Sequence, residues 1–358
     1  MCLRARHGAC DDNSRVRIAL DATYSLGKNL SGVGVYSREM MSGLAHAHPN
    51  QSFRFYYRPN RLFKSLSEKL PPNASRRLLA GAPRSDLFHA LNQRVDRRSR
   101  HTVCTFHDLF VMTGEYSSPE FRARFTEQAR QAAANSDAII AVSQSTATQV
   151  EQLLGVESSR IYVVPHGSPQ IAAASAARRE KLVLFVGVIQ KRKNVGRLVK
   201  AFERLPAGWR LALAGASQGY GAAEELRAVE ESPRRTDIDV LGHLPGEQLA
   251  GLYARARIFA FPSLDEGFGM PILEAMAHGV PVITSQCSAM PEVAGDAALL
   301  VDPMNIDQLA HALTRLAGDD GLREDLIAKG RARVPRFTWE SAVAQTWAVY
   351  EKVMGASL

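Results

Sequence analysis

The stretch PSLDEGFGMPILEAMAHGVPVITS, Pro262 to Ser285, decides how the chain is read. It begins at the end of a short apolar run, IFAFP (Ile258 to Pro262), and closes on another, VPVITS (Val280 to Ser285), each the length of a buried strand. Between them, Gly267 and Gly269 allow unusual backbone angles just ahead of a helix predicted from Met270 to His278. Pro271 suits the first helical turn, where its missing N–H costs nothing. Several N–H groups can then converge at the helix start, where the dipole also favours an anion. Glu266 stands at the mouth of that pocket and Glu274 one turn or so into the helix. Carboxylates accept and do not donate, so beside an anion site they suit sugar hydroxyls. The plain alternative is a solvated loop acid and a helix-surface acid.

The strand, loop and helix rhythm extends in both directions, which is the pattern of parallel α/β sheets. Upstream, strands are predicted at VRIALD (Val16 to Asp21), FRFYY (Phe53 to Tyr57), DLFHAL (Asp86 to Leu91), TVCTF (Thr102 to Phe106), AIIAV (Ala138 to Val142) and IYVVP (Ile161 to Pro165). Helices fit from about Val35 to Ala47, Pro119 to Asn135 and Ser143 to Leu154, the last capped by Ser143 or Ser145. The Ser- and Ala-rich segment Ser168 to Glu180 fits neither pattern and reads as the linker. Beyond it the rhythm restarts with LVLFVG (Leu182 to Gly187), RLALAG (Arg210 to Gly215), IDVLG (Ile238 to Gly242) and ALLVD (Ala298 to Asp302). An amphipathic helix, Thr338 to Met354, closes the chain.

The expected organisation is a leader over 1–14, a first Rossmann-like domain over 15–170, a linker over 171–180, a second Rossmann-like domain over 181–337 and a crossover helix over 338–358. Two doubly wound domains whose strand ends face each other hold a ligand in the cleft between them.

At 358 residues, 46% apolar and 22% charged, the chain can bury two ordinary cores and is too apolar for disorder. No run approaches eighteen uninterrupted apolar residues, and MCLRARHGACDDNS at the start has no signal-peptide core. The expectation is a cytoplasmic, non-spanning protein. Four cysteines (Cys2, Cys10, Cys104, Cys287) are too scattered for a disulfide framework or a CxxC metal site, and Cys104 and Cys287 read as buried thiols. The net charge of +8 is lopsided: residues 1–170 hold 22 basic and 14 acidic side chains, the remainder 22 of each. A uniformly basic nucleic-acid binder would not divide its charge so, and the two halves are expected to meet different partners.

Three further segments carry chemistry. FVGVIQKRKNVGRL (Phe185 to Leu198) runs from a strand into a loop with Lys191, Arg192 and Lys193, placed to neutralise a departing diphosphate, or else forming a solvated basic turn. In DATYSLGKNLSGVGVYSREM (Asp21 to Met40), Ser31 to Gly34 allow close backbone approach, although the loop is not GxGxxG. An NAD-dependent oxidoreductase is disfavoured on that ground. In TFHDL (Thr105 to Leu109), His107 and Asp108 end a strand, hence stand at the crevice edge, although a lone histidine is commonly structural. Asp237 and Asp239 form a DxD triplet just before a strand rather than in the crevice, and no spacing of acids and histidines points to a metal.

With these segments in this order, the chain resembles the family-4 glycosyltransferases of the GT-B fold, retaining enzymes that use nucleotide-sugar donors. The resemblance runs from about Val16 to Met354 and is strongest over Pro262 to Ser285 and MPEVAGDAALLVDP (Met290 to Pro303), with Glu266 and Glu274 matching the E-x7-E pattern. It implies that Glu266 contacts donor-sugar hydroxyls and that Glu274 holds the ribose. It further implies that the backbone from Gly267 through Phe268 and Gly269 to Met270 binds the sugar and diphosphate, and that Lys193 grips the diphosphate. Many members carry arginine where Val188 stands here, and Arg192 is the substitute cation. His107 matches the histidine that reaches the donor sugar, Gly34 a glycine close to phosphate, and Leu244 a position flanking the base. The RKN-type loop resembles mannosyltransferase-like members, which implies GDP-mannose as donor, a glycan or lipid-linked acceptor, and neither cofactor nor metal. A UDP- or ADP-sugar donor, a sugar phosphorylase or epimerase on the same fold, and a non-catalytic nucleotide-sugar-binding scaffold stand as alternatives. The basic first half, including Arg76, Arg77, Arg84, Arg94, Arg97, Arg98 and Arg100, would then face an anionic acceptor or membrane surface, or be merely a soluble Arg-rich surface.

Overall fold

A computed structural model describes residues 16–27, 30–168 and 179–355. The expected leader, and all but the last two residues of the expected linker, lie outside the described residues.

The first sheet is built from β1 (Arg17–Asp21), β2 (Ser52–Tyr57), β3 (Ala74–Leu78), β4 (Leu87–Ala90), β5 (Thr102–Phe106), β6 (Ala138–Ala141) and β7 (Ile161–Val163), in the spatial order 3-2-1-4-5-6-7. The second contains β8 (Leu182–Val186), β9 (Arg210–Ala214), β10 (Ile238–Gly242), β11 (Ile258–Phe261), β12 (Val282–Ser285) and β13 (Ala298–Val301), in the order 10-9-8-11-12-13. Every strand pair is parallel, in registers such as Ile18 beside Phe53 and Val183 beside Leu211. Helices cover both faces, so the central strands are apolar throughout: Val183, Leu184 and Phe185 are fully buried in succession. In each sheet the strand order reverses beside the first strand, between β1 and β4 and between β8 and β11. Such a switch point opens a crevice at the strands' C-terminal ends, and the loops after β1 and β8 border it.

Most predicted elements recur with ends shifted by a residue or two. The first helix (Gly32–Ala47) starts earlier than expected, because the Ser31 side chain accepts from the Gly34 amide at 3.3 Å and caps the turn there. Ser143 caps the helix Gln144–Leu154 in the same way through Thr146. Strand β3, ASRRL, was not expected: it is an edge strand with apolar residues only at its ends, so neither alternation nor an apolar run marks it. Cys104 is fully buried, whereas Cys287 is only partly so, correcting the expectation for the second thiol.

The last helix (Trp339–Met354) follows the second sheet in sequence yet lies on the first. Val343, Trp347 and Tyr350 share a core with Met40 and Leu44 of the first helix. The Tyr350 hydroxyl lies 2.6 Å from His89 Nδ1 inside that core, satisfying two polar groups that burial would otherwise penalise.

Candidate active site

The two sheets meet at their C-terminal ends around a cleft of about 500 Å³. One wall comes from the first half, through Ser31 to Val33, His107, Asp108 and His166. The other comes from the loops after β8, β9, β10 and β11. At Gly267 the halves are in direct contact. A Cβ there would overlap the His107 carbonyl, and the Gly267 carbonyl accepts from Ser143 Oγ at 2.7 Å and Thr146 Oγ1 at 3.1 Å. Glu292 accepts from the Gln144 amide at 2.9 Å, tying the N-terminus of that helix to the second half.

Centrally in the cleft, one carboxylate is held by two cations. Lys193 Nζ lies 2.5 Å from Glu266 Oε1, and Arg192 Nη1 2.8 Å from Oε2. All three side chains are at most 10% exposed, so the cluster is screened little by solvent. The Arg192 guanidinium also donates to the Asp265 carbonyl and stands 4.2 Å over the Phe110 ring, so that a first-half aromatic covers a second-half cation. Burial raises the Glu266 carboxyl, but Arg192 and Lys193 outweigh it and bring it down to about 2. Burial lowers Lys193 to about 8, with Glu266 opposing and Arg192 assisting. The loop holding the cations works because Gly187, at φ +154°, lets the chain turn beneath Lys193. Val188 is exposed at the rim.

Glu274 lies on the helix Met270–Ala277, with Pro271 in its first turn. Its Oε2 accepts from the Tyr253 hydroxyl at 2.9 Å, and burial raises its pKa above the ordinary value. Phe268, Gly269, Met270 and Leu244 all line the cleft. Gly34 does not. A Cβ there would stand 2.9 Å from the Tyr24 carbonyl and 3.0 Å from Leu30, within its own loop, whereas Gly32 lines the cleft and faces Met270.

His107 lines the cleft, but both its ring nitrogens face protein. Nε2 donates to the Leu91 carbonyl at 2.9 Å, and Nδ1 lies 3.4 Å from His166 Nε2. Burial holds the ring neutral, pushing it down to about 4. Asp108 lines the cleft beside His107, as its place at the strand end predicts, whereas sequence reading missed His166 and His243 as cleft residues and Tyr253 as the partner of Glu274. His166 had a usable signal, being just past the strand IYV; Tyr253 had none, since it sits on a helix and reaches Glu274 only through packing. The DxD acids are not among the cleft-lining residues, Asp237 being paired with Arg234 at 2.9 Å and Asp239 with Arg210 at 2.7 Å.

Residues 30–168 match the family model described as Glycosyltransferase Family 4, and residues 169–333 the one described as Glycosyl transferases group 1. Over 92% of its length the chain is 30% identical to the O-antigen chain mannosyltransferase B of Escherichia coli, 98% of which it covers. The chain belongs to glycosyltransferase family 4. This family-4 glycosyltransferase is also 34% identical, over 70% of its own length and 64% of the relative's, to the D-inositol 3-phosphate glycosyltransferase of Xylanimonas cellulosilytica. Among solved structures, sucrose-phosphate synthase of Thermosynechococcus elongatus superposes with a TM-score of 0.78 at 23% identity, covering 96% of this chain and 100% of that one. The fold of this glycosyltransferase is therefore GT-B.

Proposed function

We propose that this glycosyltransferase moves a hexose, with mannose from GDP-mannose as first choice, onto an acceptor hydroxyl in polysaccharide, lipopolysaccharide or lipid-linked glycan assembly. The observation that carries the reading is the buried Arg192, Glu266 and Lys193 cluster at the strand ends. Likeness to an O-antigen mannosyltransferase over nearly the full length supports the sugar and the pathway class.

On this reading the donor diphosphate lies by Lys193 and Arg192, which neutralise the charge that builds up as the anomeric C–O bond breaks. Arg192 takes the place of the arginine absent at Val188. Glu266, fixed between the two cations, keeps its remaining lone pairs for hydroxyls of the sugar, and Glu274 holds the ribose. The backbone from Gly267 to Met270 contacts the sugar and diphosphate, Leu244 flanks the base, and His107 shapes the sugar pocket with its locked ring. An oxocarbenium-like transition state needs a stabilised leaving group more than a strong base. The sugar is therefore transferred from the front face, with retention, and a phosphate oxygen takes the acceptor proton. No metal and no cofactor is needed on this route, since two fixed cations serve the leaving group.

The protein would act in the cytoplasm, at the inner leaflet, where its basic first half meets anionic lipid. No helix among the described residues is long and apolar enough to cross a membrane. A screen of hydrolysis and thermal shift across GDP-, UDP- and ADP-sugars tests the donor. A response to UDP-sugars alone removes GDP-mannose while leaving glycosyl transfer standing. Phosphate-dependent cleavage without any nucleotide sugar favours the phosphorylase reading instead.

A further inference from the structure

Among the described residues three carboxylates line the cleft, and two of them already have partners. Both oxygens of Glu266 meet cations, and Glu274 accepts from Tyr253. The third, Asp108, lies just past the end of β5 on the first-half wall and makes no hydrogen bond or ion pair with any described residue. It is partly open to the cleft rather than sealed. An ionised carboxylate beside a diphosphate pocket opposes donor binding unless something in the working complex donates to it. In a sugar-transfer cleft the available donors are hydroxyls.

The side on which Asp108 stands indicates whose hydroxyl it meets. Its wall continues, through Ser31 and Val33, into a second cavity of about 800 Å³ confined to the first half. Tyr24, Phe121, Asn92 and Gln128 line that cavity, with Tyr24 and Phe121 more than 40% exposed. Exposed aromatic rings beside side-chain amides offer the stacking faces and hydrogen bonds that suit a sugar chain. A glycan lying there reaches the transferred sugar from the side that carries Asp108.

We propose that Asp108 accepts a hydrogen bond from the attacking hydroxyl of the acceptor and aims it at the anomeric carbon. This rests on the glycosyl-transfer reading of the cleft. The acceptor oxygen forms its bond to the anomeric carbon as the bond to phosphate breaks, and that electron pair leaves on the diphosphate. The hydroxyl proton passes to a phosphate oxygen, and Asp108 ends unchanged. The groups facing it are Arg192 and Lys193 from the loop after β8, Asp265 and Glu266 from the loop after β11, and His107 beside it. Burial pushes its carboxyl up to about 6, with Arg192 and Lys193 opposing and Glu266 and Asp265 adding. The charged, stronger acceptor therefore exists above about pH 6, and below it only the weaker neutral carboxyl remains.

The test compares wild type, Asp108→Asn and Asp108→Ala, with GDP-mannose as donor and methyl α-mannoside as soluble acceptor. Asp108→Ala should lower kcat/KM for the acceptor by roughly 10- to 100-fold, the range of a hydrogen bond to a charged group, while donor Kd by calorimetry stays within about twofold. Asp108→Asn, whose carbonyl accepts without the charge, should recover only part of that loss and should lack the acid limb near pH 6 in kcat/KM that wild type shows. Unchanged acceptor kinetics in Asp108→Ala overturn the proposal, and so does a matching loss of donor affinity, which would place the carboxylate on the donor sugar. If wild type binds no GDP-, UDP- or ADP-sugar, the glycosyl-transfer reading itself falls.

Discussion

Lys193 and Glu266 are joined at 2.5 Å within the cleft, and Arg192 closes on the other carboxylate oxygen. Two cations share one carboxylate in a nearly dry site, where charges are screened little by solvent. On the proposed reading the group that enters here is the donor diphosphate.

Removing Lys193 should damage turnover more than binding, because its charge matters most as the leaving group develops. Lys193→Ala is expected to lower kcat by about 10²- to 10³-fold, the scale seen when one preorganised donor is lost at a developing anion. Near wild-type transfer by this variant would remove the leaving-group role.

Lys193 also fixes a pH dependence. Burial has brought its pKa down to about 8, so it is charged below that pH and loses its proton above it. Donor kcat/KM, which reports the free protein, should fall along an alkaline limb near pH 8. In Lys193→Arg the limb should move beyond the measurable range, since guanidinium stays charged. Its persistence in that variant would assign the titration to another group.

Gly267 joins the halves by letting backbone meet backbone. Gly267→Ala places a methyl group onto the His107 carbonyl and 2.9 Å from the Asp108 Cβ, neither of which is a flexible side-chain end. The expected cost is about 1–3 kcal/mol in chemical denaturation, as for other overpacked sites. Gly246→Ala, where nothing lies within 4 Å, serves as the control and should stay near wild type. Equal stabilities for the two variants would mean that the halves part freely at Gly267.

The charge division gives a surface prediction. Arg77, Arg84, Arg97, Arg98 and Arg100 are exposed on the first half, and Arg98 pairs with Asp137. Sedimentation with phosphatidylserine vesicles should show binding that weakens sharply between low and physiological salt, each basic residue near the surface adding about 1 kcal/mol. Binding indifferent to salt, or none, identifies an Arg-rich surface that serves solubility alone.

Much of the fold was legible because parallel strands buried on both faces leave apolar runs, and their helices leave caps. LVLFV, RLALA and IFAF were readable for that reason; the edge strand ASRRL was not. Arg192, Lys193, Glu266 and Glu274 could be picked out because each belongs to a contiguous loop or helix start with its own local signature.

The sequence by itself determined the two parallel sheets, the glycine loop ahead of the helix at Met270 and the cations and carboxylates that line the cleft, since all of these are encoded within a few neighbouring positions. Only the tertiary structure decided that Glu266 is held by both cations, that Gly32 rather than Gly34 lines the cleft, that the His107 ring is locked, and that Asp108 makes no hydrogen bond or ion pair with any described residue. Those facts depend on side chains far apart in the chain, whose distances and desolvation are set when the two halves pack together and by nothing local to either.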